Sequence, residues 1–362
     1  MMAYLRDYLI PQSKSKIKAG EGMQFGKYRF FTSSPIQSKY YHTATYDQPA
    51  LIFGTGGNAS VHYCDEPFAT STDCLVMYGV KESNLELIYH YLQTNLHLLQ
   101  AGFKGAGLQH ISKEYILDIS IDLPENNVQN HLLSEIRIID SLIAARRNQL
   151  SKLDELVKSR FIEMFGDQND NGKGFQRGKI DDVADIFLGL THTPDYIDEG
   201  VKFISAKNTS GDFLDLSDVK YISREEYEHA PAGAKPRRGD VLFSRVGSNL
   251  GHPVILDTDD ELCTFVSLGY LRSKGRVTNL YLKHWMRDDF FAEQVRRKVV
   301  GGGQPNLNTG WLKEFTILIP PMALQEEFAA FVEQTDKSKF EIQKSLEKLE
   351  TLKKALMQKY FG

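Results

Sequence analysis

Two stretches of the chain place apolar residues at spacings that alternate between four and three. In residues 124–166 these are Leu132, Ile136, Ile139, Ile143, Leu150, Leu153, Val157 and Met164, and in residues 320–362 they are Phe328, Val332, Ile342, Leu346, Leu349, Leu356 and Tyr360. Heptad spacing of this kind predicts a long helix with one apolar seam. Arg146 and Arg160 interrupt the first seam, and Thr335, Lys339 and Lys353 interrupt the second. Because neither seam is complete, each helix is expected to pack against the other.

The second stretch is a copy of the first. Pro320 follows Pro124 by 196 residues, Gly362 follows Gly166 by the same interval, and no gap is needed between those points. A repeat of this length indicates a whole domain followed by a long helix, so the predicted domains are 1–123 and 167–319 and the predicted helices are 124–166 and 320–362. The predicted fold class is α+β, with two mixed α/β domains joined by two long helices that pair as an antiparallel coiled coil in a pseudo-twofold internal repeat.

Both globular stretches follow one plan of short strands and a helix. In the first we predict a helix at 85–99, a short strand or turn at 5–8, and strands at 27–32, 50–53, 60–64, 74–78 and 116–123. In the second we predict a helix at 280–299 and corresponding segments at 180–183, 201–205, 240–243 and 315–319. Residues 108–111 differ from residues 304–307, so the two loops at these positions are not expected to share one geometry.

Charge is distributed unevenly along the chain. The net charge is −4 over 362 residues. Residues 1–40 hold seven basic and two acidic residues, residues 270–300 hold eight and three, and residues 181–228 hold four and twelve. Because local patches rather than net charge set the field felt by phosphate, the first two segments are candidates for binding nucleic acid. The alternative is that each is an ordinary solvated surface.

Compartment and catalytic chemistry are constrained mainly by what the sequence lacks. No apolar run approaches the roughly 20 residues of a membrane span, and three scattered cysteines fit a reducing cytoplasm. The turn at residues 54–57 is rich in glycine but is not followed by the lysine of a phosphate-binding loop. His and Cys residues occur at no metal-ligand spacing, so neither a catalytic centre nor a metal site is predicted.

Five short motifs resemble one known family. They are GDVLFSRVGSNLG at 239–251, GGGQPNLN at 301–308, IPPMALQEEF at 319–328, ALIFGTGGNAS at 50–60 and DLPENNVQ at 122–129. With the domain–helix–domain–helix order, they make the whole chain similar to the specificity subunit of type I restriction-modification systems. The resemblance implies two target-recognition domains, each binding one half of a split sequence in double-stranded DNA. It also implies a subunit with no catalytic activity and no cofactor of its own.

The partners implied by the resemblance carry the chemistry. The long helices would dock two methyltransferase subunits that use S-adenosylmethionine to methylate adenine. Restriction subunits, which translocate DNA and cleave it with ATP and magnesium, would join that core. The alternative hypothesis is a coiled-coil scaffold whose domains bind only proteins.

Candidate DNA contacts are basic residues, which bind phosphate, and asparagines, which can pair with adenine. In the first domain they are Lys14, Lys16, Lys18, Lys27, Arg29, Asn58 and Lys104. In the second they are Lys207, Asn208, Arg245, Asn249, Arg272, Lys274, Arg276, Arg296, Arg297 and Lys298.

Overall fold

A computed structural model describes residues 3–80, 83–105, 109–247, 249–298 and 306–362. The chain divides into two compact units, one formed by Met1–Asn148 with Ile342–Gly362 and the other by Gln149–Glu341. Each unit contains one globular part and a segment of both long helices. The two long helices span Asn126–Phe165 and Met322–Phe361, as the heptad pattern predicts. The predicted boundaries of the four domains and helices stay a prediction.

The first unit contains a four-stranded sheet, a three-stranded sheet and a two-stranded ladder. Its strands are β1 (Ala3–Tyr4), β2 (Leu9–Pro11), β3 (Tyr28–Phe31), β4 (Lys39–Tyr41), β5 (Ala50–Gly54), β6 (Val61–Cys64), β7 (Phe68–Thr70), β8 (Cys74–Gly79) and β9 (Ser120–Ile121). Its helices are α1 (Leu85–Thr94), α2 (Leu96–Gln100), α3 (Lys113–Leu117) and the first part of α4 (Asn126–Phe165). The strand orders are β2-β8-β5-β6, β4-β3-β7 and β1-β9.

Strand β5 lies at the centre of this unit, and all its residues are buried. Successive side chains of a strand point to opposite faces. Leu51 and Phe53 accordingly join the core under helix α1, whereas Ala50 and Ile52 join a second core that contains residues of β3 and β7. One short strand of four alternating apolar residues therefore connects the two hydrophobic cores of the unit.

The second unit repeats this plan strand by strand. Its strands are β10 (Gln176–Lys179), β11 (Ala184–Leu188), β12 (Val201–Ile204), β13 (Lys220–Ile222), β14 (Val241–Ser244), β15 (Pro253–Ile255), β16 (Leu262–Thr264), β17 (Leu268–Ser273) and β18 (Thr316–Ile319). Its helices are α5 (Ile180–Val183), α6 (Arg224–His229), α7 (Asn279–Met286), α8 (Asp289–Lys298), α9 (Thr309–Lys313) and part of α10 (Met322–Phe361). The strand orders are β11-β17-β14-β15, β13-β12-β16 and β10-β18, and β12 runs parallel to β16 as β3 does to β7.

Four predicted elements of the globular parts differ in detail from those observed. Residues 116–123 form the end of α3 and the short β9 rather than one strand, because Ser112 caps a helix by accepting a hydrogen bond from the Tyr115 N–H. The helix predicted at 85–99 breaks at Asn95, whose amide donates to the carbonyls of Tyr91 and Phe361. The helix predicted at 280–299 breaks before Asp288, and residues 5–7 form a 3-10 helix.

Segments of α4 and α10 pair antiparallel within each unit. In the first unit Asp140 Oδ1 lies 2.6 Å from Lys353 Nζ, and Arg147 pairs with Glu350 at 2.7 Å. In the second unit Asp154 pairs with Lys339, and Arg160 pairs with Glu327. In both units residue numbers rise along α4 as they fall along α10. The lysines that interrupt the second apolar seam are thus matched by carboxylates of the facing helix.

The start of each long helix is fixed by the same hydrogen bond. Gln129 Nε2 donates to the Pro124 carbonyl at 2.9 Å, and 196 residues later Gln325 Nε2 donates to the Pro320 carbonyl at 2.8 Å. The bond ties the first turn of the helix to the residue that precedes it, where backbone carbonyls and amides otherwise lack helical partners. The internal repeat is therefore conserved at the level of single side-chain contacts between the two copies.

Candidate nucleic-acid interface

Three lysines of the first unit form a row on one extended segment. Lys14, Lys16 and Lys18 are exposed, whereas Ser15 between them is buried and Ile17 is half-buried. Alternate side chains of an extended chain point the same way and lie about 6.6 Å apart. None of the three lysines makes an ion pair with a described residue. We call Lys14, Lys16 and Lys18 the lysine row.

Backbone hydrogen bonds hold the lysine row in place. The Gln12 N–H donates to the Val76 carbonyl at 2.8 Å, and the Thr72 N–H donates to the Ile17 carbonyl at 2.8 Å. The segment thus continues from β2 alongside β8 and the residues just before it. The backbone that carries the three lysines is therefore anchored at both ends.

The neighbouring cations of the first unit differ in how far they are neutralised. Lys27 is exposed, and its Nζ lies 5.1 Å from the centre of the Tyr28 ring. Arg29 donates to Glu66 at 2.9 Å, and this hydrogen bond raises the pKa of the guanidinium. Lys39, which the sequence argument did not select, donates to the Ala19 carbonyl at 2.9 Å. Lys27 is therefore the freest of these charges.

A turn after the central strand meets a distant loop in both units. Gly56 forms a backbone bridge with His110 in the first unit, and Val246 forms one with Asn306 in the second. The two loops thus share one backbone bridge, whereas the expectation that their geometries differ stays a prediction. Residues 106–108 and 299–305, which include the triglycine motif, lie outside the described residues.

The candidate residues on the two turns are exposed to different degrees. Asn58 and Lys104 of the first unit are exposed. Arg245 of the second unit points inward instead, because its guanidinium donates to the carbonyls of Leu307 at 3.2 Å and Val266 at 2.9 Å. Burial lowers the pKa of Arg245. Its position holds the turn against the loop, and its hydrogen-bonding groups are engaged within the protein.

Two further candidates of the second unit, one buried and one half-buried, are hydrogen-bonded within the protein. Asn208 is 3% exposed, and its amide donates to the carbonyls of Asp215 and Asp218 at 3.0 Å. Arg272 donates to both carboxylate oxygens of Asp240, at 2.8 and 2.6 Å, and Asp240 is 2% exposed. These two side chains stabilise the folded unit, so we do not include them in the proposed interface.

The remaining candidates of the second unit are exposed but mostly engaged. The ion pairs are Lys207 with Asp218, Lys274 with Asp185, and both Arg296 and Arg297 with Glu293. Arg276 donates to Gln176, and Asn249 donates to the Ser210 carbonyl. Exposed pairs of this kind contribute about 0–1 kcal/mol, so phosphate can replace the carboxylate at small cost. Lys298 makes no ion pair with a described residue.

The two units therefore offer different electrostatic surfaces. In the first, the lysine row, Lys27 and Lys104 carry charge that no described carboxylate neutralises. In the second, carboxylates of the acidic segment 181–228 and of α8 neutralise four of the eight candidate cations. The basic residues of both units are evident in the sequence, whereas their ion-pair partners are set by the fold.

Other chemistry is sparse over the described part of the chain. No group of three or more His, Cys, Asp or Glu side chains there could hold a metal ion. The thiols of Cys64, Cys74 and Cys263 are buried, and burial raises the pKa of Cys74 to about 12 and that of Cys263 to about 11. Among the described residues no helix is long and apolar enough to cross a membrane.

Known proteins similar to this chain share its duplicated plan. The family profile described as "Type I restriction modification DNA specificity domain" matches residues 9–154 and again residues 172–354. The chain is 20% identical over 288 residues to the type I restriction enzyme MjaVIII specificity subunit of Methanocaldococcus jannaschii, covering 75% of this chain and 68% of that one. It is 21% identical to the EcoDI specificity subunit of Escherichia coli, covering 98% and 86%.

The fold is similar to that of a solved specificity subunit. The S subunit of a type I restriction-modification system from M. genitalium superposes with a TM-score of 0.61 at 13% identity, over all of this chain and 96% of the other. The profile matches most of the chain, once in each half. The protein therefore belongs to the family of type I restriction-modification DNA specificity subunits.

Proposed function

We propose that this chain selects the DNA target of a type I restriction-modification complex, with the lysine row holding the phosphate backbone beside the first unit. The observation that supports this proposal is the row itself, three exposed lysines on an anchored extended segment with no described ion-pair partner. Its spacing of about 6.6 Å is of the order of the through-space separation of successive phosphates on one strand. The three lysines can therefore contact neighbouring phosphates of that strand.

Each unit reads one half of a split target. The frame of sheets is duplicated, whereas the exposed side chains are not, and this suits two readers of different sequences built on one scaffold. Exposed asparagines supply the base contacts, Asn58 in the first unit and Asn249 in the second. Cations fix the position of the protein along the DNA backbone, and contacts to base edges determine which sequence is bound.

Partner subunits supply the chemistry. The chain acts as a non-catalytic component, with α4 and α10 docking two methyltransferase subunits that use S-adenosylmethionine. ATP and magnesium act on restriction subunits that join the same complex. The family and the duplicated helices support two equivalent docking positions.

A DNA titration separates this function from a scaffold that binds only proteins. The full chain is titrated into a fluorescein-labelled mixed-sequence duplex at 50 and 200 mM salt, and binding is followed by anisotropy. A DNA-binding chain binds at the lower salt and weakens steeply at the higher, because phosphate contacts release counterions. Absence of binding at both salt concentrations would refute the proposal and favour the scaffold.

A further inference from the structure

Phe25 is the most exposed large apolar side chain among the described residues of the first unit. Its side chain is 84% exposed, in a loop between Gly22 and Gly26 that leads into strand β3. A phenyl ring so fully in water forgoes the stabilisation that burial normally gives an aromatic side chain. Residues 22–26 nevertheless fold into a defined loop, so the exposure of the ring needs an explanation.

The loop that carries Phe25 is held firmly against the sheet. Met23 and Tyr40 exchange backbone hydrogen bonds of 3.0 and 2.9 Å. A Cβ at Gly22 would lie 2.6 Å from the Phe30 ring, and a Cβ at Gly26 would lie 2.9 Å from the Tyr40 Cβ. Both glycines are therefore required for close contact with β3 and β4. The ring is presented by a fixed support rather than by a loose segment.

The sequence on both sides of Phe25 is strongly basic. Residues 12–45 contain six cations, Lys14, Lys16, Lys18, Lys27, Arg29 and Lys39, and one acid, Glu21. The Glu21 carboxylate is occupied by the backbone N–H of Lys18 at 2.7 Å. Lys39 reaches the same loop, since its Nζ bonds to the Ala19 carbonyl and its side chain would meet a Cβ at Gly22. The loop that carries Phe25 is thus flanked along the chain by Lys18 and Lys27, and Lys39 contacts it.

An apolar wedge flanked by cations suits duplex DNA better than it suits a protein surface. Phosphates on both sides of a base step neutralise the cations, and an apolar side chain can enter between stacked base pairs and kink the duplex. A protein partner would need an apolar pocket bordered by carboxylates. The charge around Phe25 therefore favours DNA as its occupant.

We propose that Phe25 inserts between base pairs of the bound duplex as an apolar wedge, while the lysine row holds the adjacent phosphates. The inference rests on the proposed function, since it requires that the first unit binds DNA. The wedge favours DNA sequences in which the base step unstacks easily, and this preference adds to the specificity given by hydrogen bonds to base edges.

The test uses tryptophan in place of the wedge. Phe25→Trp is prepared in the full chain and titrated with an unlabelled 40-base-pair duplex of mixed sequence, and the signal of the parent chain is subtracted to remove Trp285 and Trp311. Stacking on bases quenches indole emission. The matched control is Phe340→Trp, because Phe340 is 65% exposed on α10, outside the basic segment. We expect quenching for the first variant and none for the second.

A truncation gives an independent measurement. Phe25→Ala is expected to weaken binding of the same duplex, labelled with fluorescein, by about 5- to 150-fold, the range for loss of one aromatic contact to a base. Its dependence on salt should equal that of the parent, since no charge is removed. An exposed ring contributes little to folding, so its thermal unfolding should also be unchanged.

The outcomes separate the wedge from the proposed function. If the parent chain binds the duplex but Phe25→Trp is not quenched, the wedge is refuted, even if Phe25→Ala binds weakly, because the ring then contacts something other than bases. Equal affinity of Phe25→Ala and the parent refutes it as well. If the parent fails to bind the duplex at low salt, the proposed function fails, and the wedge fails with it.

Discussion

The lysine row gives a quantitative prediction. Replacing Lys14, Lys16 and Lys18 together with Gln removes three charges and keeps three polar side chains of similar length. If each lysine neutralises one phosphate, the slope of log K against log salt becomes shallower by about 2.7, from about 0.9 per contact. The three side chains are exposed, so the fold should be unaffected.

The size of the effect depends on salt in a predictable way. If counterion release contributes nothing at 1 M salt, the triple variant binds about 2.7 decades more weakly than the parent at 0.1 M salt. This difference is about 3.8 kcal/mol at 1.4 kcal/mol per decade. Between 50 and 200 mM salt the parent should lose about 40-fold more affinity than the variant. Anisotropy of a labelled mixed-sequence duplex over this range measures both quantities.

A control with the same change in charge isolates position from net charge. Lys344, Lys348 and Lys354 on α10 are exposed and make no ion pair with a described residue. Their replacement with Gln should leave the slope nearly unchanged. Equal effects of the two triple variants would mean that the row contributes only to the overall charge, and the reasoning from its spacing would then be wrong.

Three further predictions concern the role of Arg272 in the second unit, the pH dependence of stability in the first unit, and the separate recognition of the two half-sites. Arg272→Met should lower the free energy of unfolding by about 3 kcal/mol, because the buried Asp240 loses its partner. It should leave the salt dependence of DNA binding unchanged. A weaker salt dependence without destabilisation would mean that Arg272 contacts phosphate instead. His90 is 6% exposed, and burial lowers its pKa to about 4. The unfolded chain therefore binds a proton on His90 at a higher pH than the folded chain does. The free energy of unfolding should fall as pH drops from about 6.5 to about 4, by at most about 3 kcal/mol. Urea unfolding followed by circular dichroism should show a smaller loss for His90→Gln over that window, and parallel curves would contradict this cause. Exchange of residues 167–319 for the equivalent part of another specificity subunit should change one half of the methylated sequence in the reconstituted complex, and a change in both halves would exclude separate readers.

Long-range periodicity made the helices predictable from sequence, whereas their interruptions were not. Heptad spacing over 40 residues leaves few alternatives to a long amphipathic helix, and the structure has two helices of 40 residues, α4 and α10, in these stretches. The break at Asn95 depends on the Phe361 carbonyl, 266 residues away. A contact of that separation has no local signal in the sequence.

The candidate interface was predictable in composition but not in electrostatics. The basic residues and the segments in which they cluster are evident in the sequence itself. Whether a cation is free depends on which strands pair, as with Arg272 and Asp240, which meet because β17 lies beside β14. The wedge candidate Phe25 was missed because a lone aromatic in sequence gives no sign of its exposure.

The lysines within the apolar seam of α10 affect how faithfully the chain assembles. Lys339 and Lys353 are each neutralised by an aspartate of α4. If α10 helices from two chains paired antiparallel about Leu346, Lys339 of one would face Lys353 of the other, with like charges opposed and no aspartate available. Apolar residues at these positions would strengthen the correct pair and the incorrect one alike. Two polar positions therefore discourage helix exchange between copies synthesised side by side, at a modest cost in stability.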